Sequence, residues 1–309
     1  MGKRKKTSKR KKRNDASQWF NFARDSYFER TSRPIYAIIF LLPFIVFYEI
    51  GTFRINTDVL NQSRIRVVAF VWMQNSLELL GFHGKLAWIA PPLAVLVILI
   101  ALQITSGKQW RFWFGDVLPM AAECVLLAVP LIVLTLFLSS STGSQAPMER
   151  PDNDQVVTST HPRPAGPPMA EPGPHVLTAD NRATPAPRHL LANIITGIGA
   201  GIYEELVFRL VLICLLMLLF QDALKLSHAN AIVLSVLISA ALFSAHHHID
   251  FFSGQVNSVD PFNLTKFVFR TIAGIYFAAL FAIRGFGITA GTHAFYNIIA
   301  VSITAHFFR

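Results

Sequence analysis

Long apolar runs separated by short polar stretches dominate the chain from Pro34 onward. The first run, Pro34–Gly51, is just long enough for the ~20 residues that a bilayer core requires. Leu86–Thr105 and Phe112–Ser139 follow, the former carrying Pro91 and Pro92, where a kink is expected. Between them and the first run, residues 66–85 are only half apolar and fit either an interfacial or a re-entrant helix. Four more runs close the chain: about Leu190–Gln221, Ala229–His248, Leu264–Arg284 and Gly287–Phe307. The pattern predicts an all-α fold, a polytopic transmembrane helical bundle of about seven or eight spans, with no internal repeat.

Four regions follow from the same pattern. Residues 1–33 form a basic N-terminal tail, 34–139 an N-terminal group of membrane helices, 140–189 a Pro-rich linker, and 190–309 a C-terminal membrane core. The linker (RPDNDQVVTSTHPRPAGPPMAEPGPH) has no hydrophobic period and reads as disordered or polyproline-like. His161, His175 and His189 are too scattered there to read as metal ligands. Within the tail, Trp19–Phe28 is aromatic-rich with mixed charge and suits a short amphipathic segment at the interface.

Composition supports the membrane assignment: 52% of the 309 residues are hydrophobic and only 15% charged. The net charge of +10 is concentrated in Lys3, Arg4, Lys5, Lys6, Lys9, Arg10, Lys11, Lys12 and Arg13, nine positive charges that leave about +1 for the rest. Such a tail is drawn to anionic lipid at ~1 kcal/mol per basic residue. No aromatic residue interleaves with it, so membrane lipid is the expected partner and nucleic acid is not. The Lys108/Arg111, Lys225 and Arg284 loops place the N-terminus in the cytoplasm by the positive-inside rule, for a multi-pass protein of the plasma or inner membrane. The first apolar run begins far behind the basic cluster and no Ala-x-Ala site follows it, so it reads as a retained anchor. Cys124 and Cys214 both lie in apolar runs and read as small core residues.

The chemistry concentrates where charge is most costly. Glu204, Glu205 and Arg209 sit inside the run Leu190–Gln221, and a charged residue at mid-helix costs ~2.5–3.5 kcal/mol even on the lenient insertion scale. Glu205 and Arg209 are spaced i and i+4, so they share a face and can pair. Glu204 points about 100° away and has no partner in its own helix. Two polar clusters follow: Phe243 to His248 closing one run, and Gly291 to Asn297 in the last. Phe243 and His247 share a face, as do His293 and Asn297. A carboxylate, one or two histidines and an asparagine suffice to hydrolyse a peptide bond: the carboxylate deprotonates water, with or without a metal, and the His/Asn pair donates to the developing oxyanion. The bland readings are a structural ion pair for Glu205–Arg209, an interhelical hydrogen bonder for Asn297 and a buried hydrogen-bond partner for Glu123. His246 and His248 are expected to face headgroups, and Arg270 and Arg284 to be interfacial.

Glu204-Glu205-x-x-x-Arg209, Phe243-x-x-x-His247 and His293-x-x-x-Asn297, in that order on successive membrane helices, resemble the CAAX-protease and bacteriocin-processing family, which includes the Ras-converting prenyl-protein endopeptidases. The resemblance covers about residues 190–309. It implies a helical bundle with a cavity open to one side of the membrane and an endopeptidase acting on a peptide or protein substrate, membrane-anchored substrates included. It casts Glu204 as general base, Glu205 and Arg209 as its support, His247 as the residue that positions water, and His293 with Asn297 as the oxyanion site. The family is described both as metalloproteases, which would make Glu204, His247 and His293 ligands of a Zn2+ ion, and as metal-free, glutamate-dependent proteases. A catalytically inactive immunity or scaffold relative and a transporter are the competing readings.

One expectation strains the others. His247 ends its run while His293 lies near the start of a parallel one, a depth mismatch of roughly 15–20 Å for straight, full-length helices. Short, tilted or broken spans, with a break at Gly285 or Gly287, would remove it.

Overall fold

The computed structural model describes residues 25–57, 67–82, 85–141, 187–249, 251 and 261–307. The basic run, Trp19–Arg24 and residues 142–186 of the linker, with His161 and His175, lie outside these residues. Among the described residues the chain is an all-helical bundle. Its helices are α1 Tyr27–Thr31, α2 Pro34–Thr57, α3 Val68–Leu79, α4 Lys85–Thr105, α5 Val117–Ser141, α6 Pro187–Glu204, α7 His228–Ala245 and α8 Leu264–Phe307. Five stretches are long and apolar enough to cross a membrane, and Ile89–Thr105 is a shorter apolar helix. Every apolar run expected to span is helical over most of its length, although Phe112 and Trp113 lie outside helix and His246–His248 follow the end of α7.

Helix α6 does not stop at Glu204. It continues as a π-helical segment Glu205–Leu212, a turn of α-helix Ile213–Met217 and a second π segment Leu218–Ala223. Ser227 then caps α7 by accepting from the Asn230 N–H at 3.3 Å. Helix α7 runs back along the C-terminal half of this long helix, with Ser239 donating to the Phe208 carbonyl at 2.7 Å.

Helix α8 is two legs. Gly285 has φ 74° and ψ 178°, a backbone that L side chains rarely adopt. Phe277 and His293 would be ~24 Å apart on a straight helix, yet their rings stack with centroids 4.5 Å apart. The chain therefore folds back at Gly285, and the two legs lie side by side. This turn, together with the short α7, removes the expected depth mismatch. His246 lies 18 residues beyond the start of α7 and His293 eight beyond Gly285. The 224–227 turn therefore extends about 15 Å further along the axis than Gly285, and the two histidines meet at one level.

The main core forms where α2, α6 and the second leg of α8 meet, around Tyr36, Phe40, Tyr48, Ile198, Ile202, Tyr203 and Ile288. Lipid is as apolar as these side chains, so close packing and buried polar contacts rather than the hydrophobic effect must hold the helices together. Gly201 shows how close they come: a Cβ there would lie 2.5 Å from the Ala294 backbone nitrogen. Large apolar side chains such as Leu118, Leu126 and Phe137 point outward from α5.

Buried charge pairs tie the N-terminal segment to this bundle. Arg284 donates to Glu123 through Nε at 2.6 Å and Nη2 at 2.8 Å, and to Thr31 Oγ1 at 2.8 Å. Tyr27 donates to Glu123 at 2.8 Å. Arg30 and Tyr36 both donate to Asp116. Glu123 is thus the structural partner expected of it. Arg284, expected at the interface, is instead buried: the fold-back at Gly285 carries it against α1 and α5. Helix α3, from the half-apolar stretch 66–85, has only 12 residues and is too short to span. It buries Ala69, Phe70 and Trp72 against the bundle.

Candidate active site

The first expected motif sits where the long helix changes its winding. Glu204 is the last residue of α6, and Glu205 opens the π segment that also holds Arg209. π-Helical segments are rare overall but frequent at functional sites, because widening the ladder re-aims the side chains around it. Glu204, Glu205 and Arg209 are all buried, with exposures of 1, 0 and 0%. Three ionisable groups at such depth must be matched by partners.

Glu205 has both oxygens committed. Oε2 lies 3.1 Å from Arg209 Nε, a charge contact without hydrogen-bond alignment, and Oε1 accepts from His293 Nδ1 at 2.8 Å. Arg209 also sits over the Phe243 ring at 4.1 Å and donates to the Gly274 carbonyl at 3.4 Å. Such a cation–π contact is worth about 2 kcal/mol when desolvated. The ion pair expected from the i, i+4 spacing is present, and it extends into α8.

Glu204 faces the other way. Its Oε2 lies 3.9 Å from His293 Nε2 and its Oε1 3.7 Å from His246 Nε2. Both gaps exceed direct hydrogen-bond reach. His293 is held in place by Glu205 at Nδ1 and by the Phe277 ring stacked on it. A carboxylate only accepts, so Nδ1 carries hydrogen and Nε2 is the atom turned to Glu204.

Glu204, His247, His293 and Asn297 line a single cavity, with Gly197, Phe243, Phe277 and Tyr296 among its other walls. Asn297 Nδ2 donates to the Gly197 carbonyl at 3.0 Å, so one amide hydrogen is used in packing and the second remains. The small Gly197 and Gly201 let α6 and the second leg of α8 approach until these groups share one space.

Three side chains differ from expectation. His246 and His248, expected at headgroup level, are buried, because α7 ends at Ala245 and the following turn folds into the bundle. Arg270, expected at the interface, is also buried and lines the cavity, with Nη1 3.4 Å from His248 Nε2. Its place on the first leg of α8, folded against the second, puts a cation at the cavity wall. No local spacing pointed to His246 or Arg270, since both depend on where α7 stops and α8 turns.

The donor set that could hold a metal ion is Glu204, His246 and His247, whose ligand atoms lie within 4.8 Å of one another. It fits a zinc site with three protein ligands and an open position. The His246 Nδ1–Phe243 carbonyl contact is the outer-shell arrangement such ligands use, and His246 Nε2 is buried with no hydrogen-bond partner. Compared with the expected set, His246 stands where His293 was placed.

A sequence model of the type II CAAX prenyl endopeptidase Rce1-like family matches residues 186–299. Comparison with curated proteins and with solved structures gives no match. The matched segment contains α7 and every expected site residue from Glu204 to Asn297.

Proposed function

We propose, from the match of residues 186–299 to the Rce1-like family, that the chain is an intramembrane endopeptidase that cleaves a peptide or protein tail at the membrane. The observation that carries this reading is the convergence of Glu204 from the end of α6, His247 from the turn after α7, and His293 and Asn297 from the second leg of α8 on one cavity.

In this proposal Glu204 is the general base. Glu205 is spoken for by Arg209 and His293, so Glu204 is the carboxylate positioned to take a proton from water. The proton then passes from Glu204 to the leaving amine, with no covalent enzyme intermediate. His247, half-buried at the cavity wall, orients the water. Asn297, through its second amide hydrogen, and His293, through Nε2 when the ring carries both protons, donate to the carbonyl oxygen as it gains charge. A zinc ion bound by Glu204, His246 and His247 would supply Lewis acidity to the water and the carbonyl. The family's name directs attention to polypeptides ending in a prenylated CAAX sequence as substrates.

Proteome-wide sequencing of protein C-termini in cells carrying wild-type chain or E204Q tests the reading. Membrane-associated proteins should accumulate with unprocessed C-termini in E204Q cells. Identical C-terminal profiles would refute the proposal, whereas a matched loss of solute uptake would point to a transporter.

A further inference from the structure

We propose that Arg270 reads the end of the substrate: its guanidinium binds the C-terminal carboxylate of the tail while the bond to be cut lies at Glu204. This rests on the reading of the cavity as a peptidase site. It adds to that reading the residue that decides which end of a polypeptide enters and how far from that end it is cut.

Arg270 is 2% exposed and lines the same cavity as Glu204. Among the described residues of that lining it is the one arginine or lysine. Arg209, the other cation close by, lies outside the lining and is engaged with Glu205 and the Phe243 ring. A guanidinium keeps its charge at neutral pH and meets a carboxylate with a planar fork of donors. In a buried setting such a bond is stronger than in water. Arg270 Nη1 also lies 3.4 Å from His248 Nε2, which ties the head group to the turn after α7.

The spacing along α8 sets the length of the tail. His293 stacks on Phe277 and turns Nε2 to Glu204, so these three side chains share one level. Arg270 precedes Phe277 by seven residues on the first leg. Seven residues are two turns, so the two side chains project from one face, about 10 Å apart along the axis. An extended chain covers ~3.3–3.6 Å per residue, so about three residues bridge that gap. The walls between the two levels include Gly197, Ala200, Ala273 and Ala300, whose small side chains leave room for those of a tail.

Charge fixes the direction of entry. Glu204 at one end of the cavity repels a carboxylate and Arg270 at the other attracts it, so the end of the chain settles on Arg270. Arg270 lies only six residues after the start of α8 at Leu264. An entering carboxylate therefore need not cross the apolar middle of the bundle.

The test uses purified full-length chain and one membrane-anchored peptide made in two forms, a C-terminal acid and a C-terminal amide. The readout is the acid-to-amide ratio of kcat/KM within each protein, which cancels any loss of folded material in a variant. In wild type the ratio should be roughly 10–100, as expected for hydrogen bonds to a charged group. R270M should bring it near one, and R270K, which keeps the charge without the fork, should restore part of it. Mass spectrometry of the released fragment should find about three residues, and a fragment of about six or more overturns the spacing. Displacement of a labelled acid peptide from E204Q supplies a readout without turnover. There the acid should compete more tightly than the amide by a similar factor, and E204Q/R270M should bind both alike. An acid-to-amide ratio near one in wild type overturns the proposal, as does a ratio that R270M leaves unchanged. Equal affinity for the two peptides, with both displaced by anionic lipid only when Arg270 is present, would assign the guanidinium to a headgroup and overturn it as well. An Arg270-dependent preference for the acid in binding, in a protein that cleaves neither peptide, would leave the carboxylate site standing and refute the peptidase reading instead.

Discussion

Asn297 Nδ2 donates to the Gly197 carbonyl at 3.0 Å, two turns of α6 away from Glu204. The bond sets which amide atom faces which way, since only the nitrogen can meet a carbonyl. It leaves the second amide hydrogen outside that bond, on a residue that lines the cavity. Replacing Asn297 by Ala should lower kcat by about 10²–10³-fold, the usual cost of one oxyanion donor. N297D removes the donors and sets a carboxylate against the Gly197 carbonyl, so it should be no better. Steady-state kinetics on a membrane-anchored peptide checks both.

The Glu205–Arg209 pair is fully buried, so removing one member strands the other. R209M and E205L should each cost about 3–5 kcal/mol, whereas the double variant E205L/R209M should lose less than the sum. Thermal unfolding in detergent, read across the four proteins, gives the coupling.

Gly201 faces the backbone of Ala294, which has no flexible end to yield. G201A should destabilise by about 1–3 kcal/mol by overpacking. It should also lower activity, because the leg carrying His293 must move. G115A, where a Cβ meets nothing within 4 Å, is the control and should leave both unchanged.

Arg284 and Glu123 meet through two hydrogen bonds beside the Gly285 turn. A double-mutant cycle with R284M and E123Q should give a coupling of about 0.5–3 kcal/mol. The pair lies far along the helix from the cavity. Its loss should therefore show in unfolding temperature before it shows in KM.

At the N-terminus, the side-chain hydrogen bond from Arg33, at 2.6 Å, holds the Glu29 carboxyl below its ordinary range. A depressed carboxylate stabilises the fold above its usual pKa and loses that contribution as pH falls through the folded value. Since Glu29 is partly exposed, the effect should be small and weaken in high salt. Unfolding temperature measured from neutral to acid pH, for wild type and E29Q, checks it.

Much of this architecture was legible because lipid makes two demands that a sequence displays openly. Spans must be apolar and long, so the expected runs are helical over most of their length, and intramembrane charge must be matched, so Glu204, Glu205 and Arg209 mark the candidate site in the sequence itself. The i, i+4 pairs Glu205–Arg209 and His293–Asn297 translated directly into shared faces. What escaped depended on contacts distant in sequence. The π segment at Glu205 leaves no spacing signature. Arg284 read as interfacial because only the turn at Gly285 shows that it meets Glu123 and Thr31. His246 read as peripheral because the end of α7 at Ala245, not the His-His-His run itself, decides which imidazole faces Glu204.

The central claim is that the Glu204 carboxylate performs the proton transfer. Single-turnover cleavage of a prenylated peptide by purified wild-type and E204Q chains tests it most directly. The account predicts that E204Q binds the peptide normally and cleaves it at least about 10²–10⁴-fold more slowly. Cleavage by E204Q within about tenfold of wild type, with E205Q abolishing it instead, would contradict the account and assign the base to the neighbouring carboxylate.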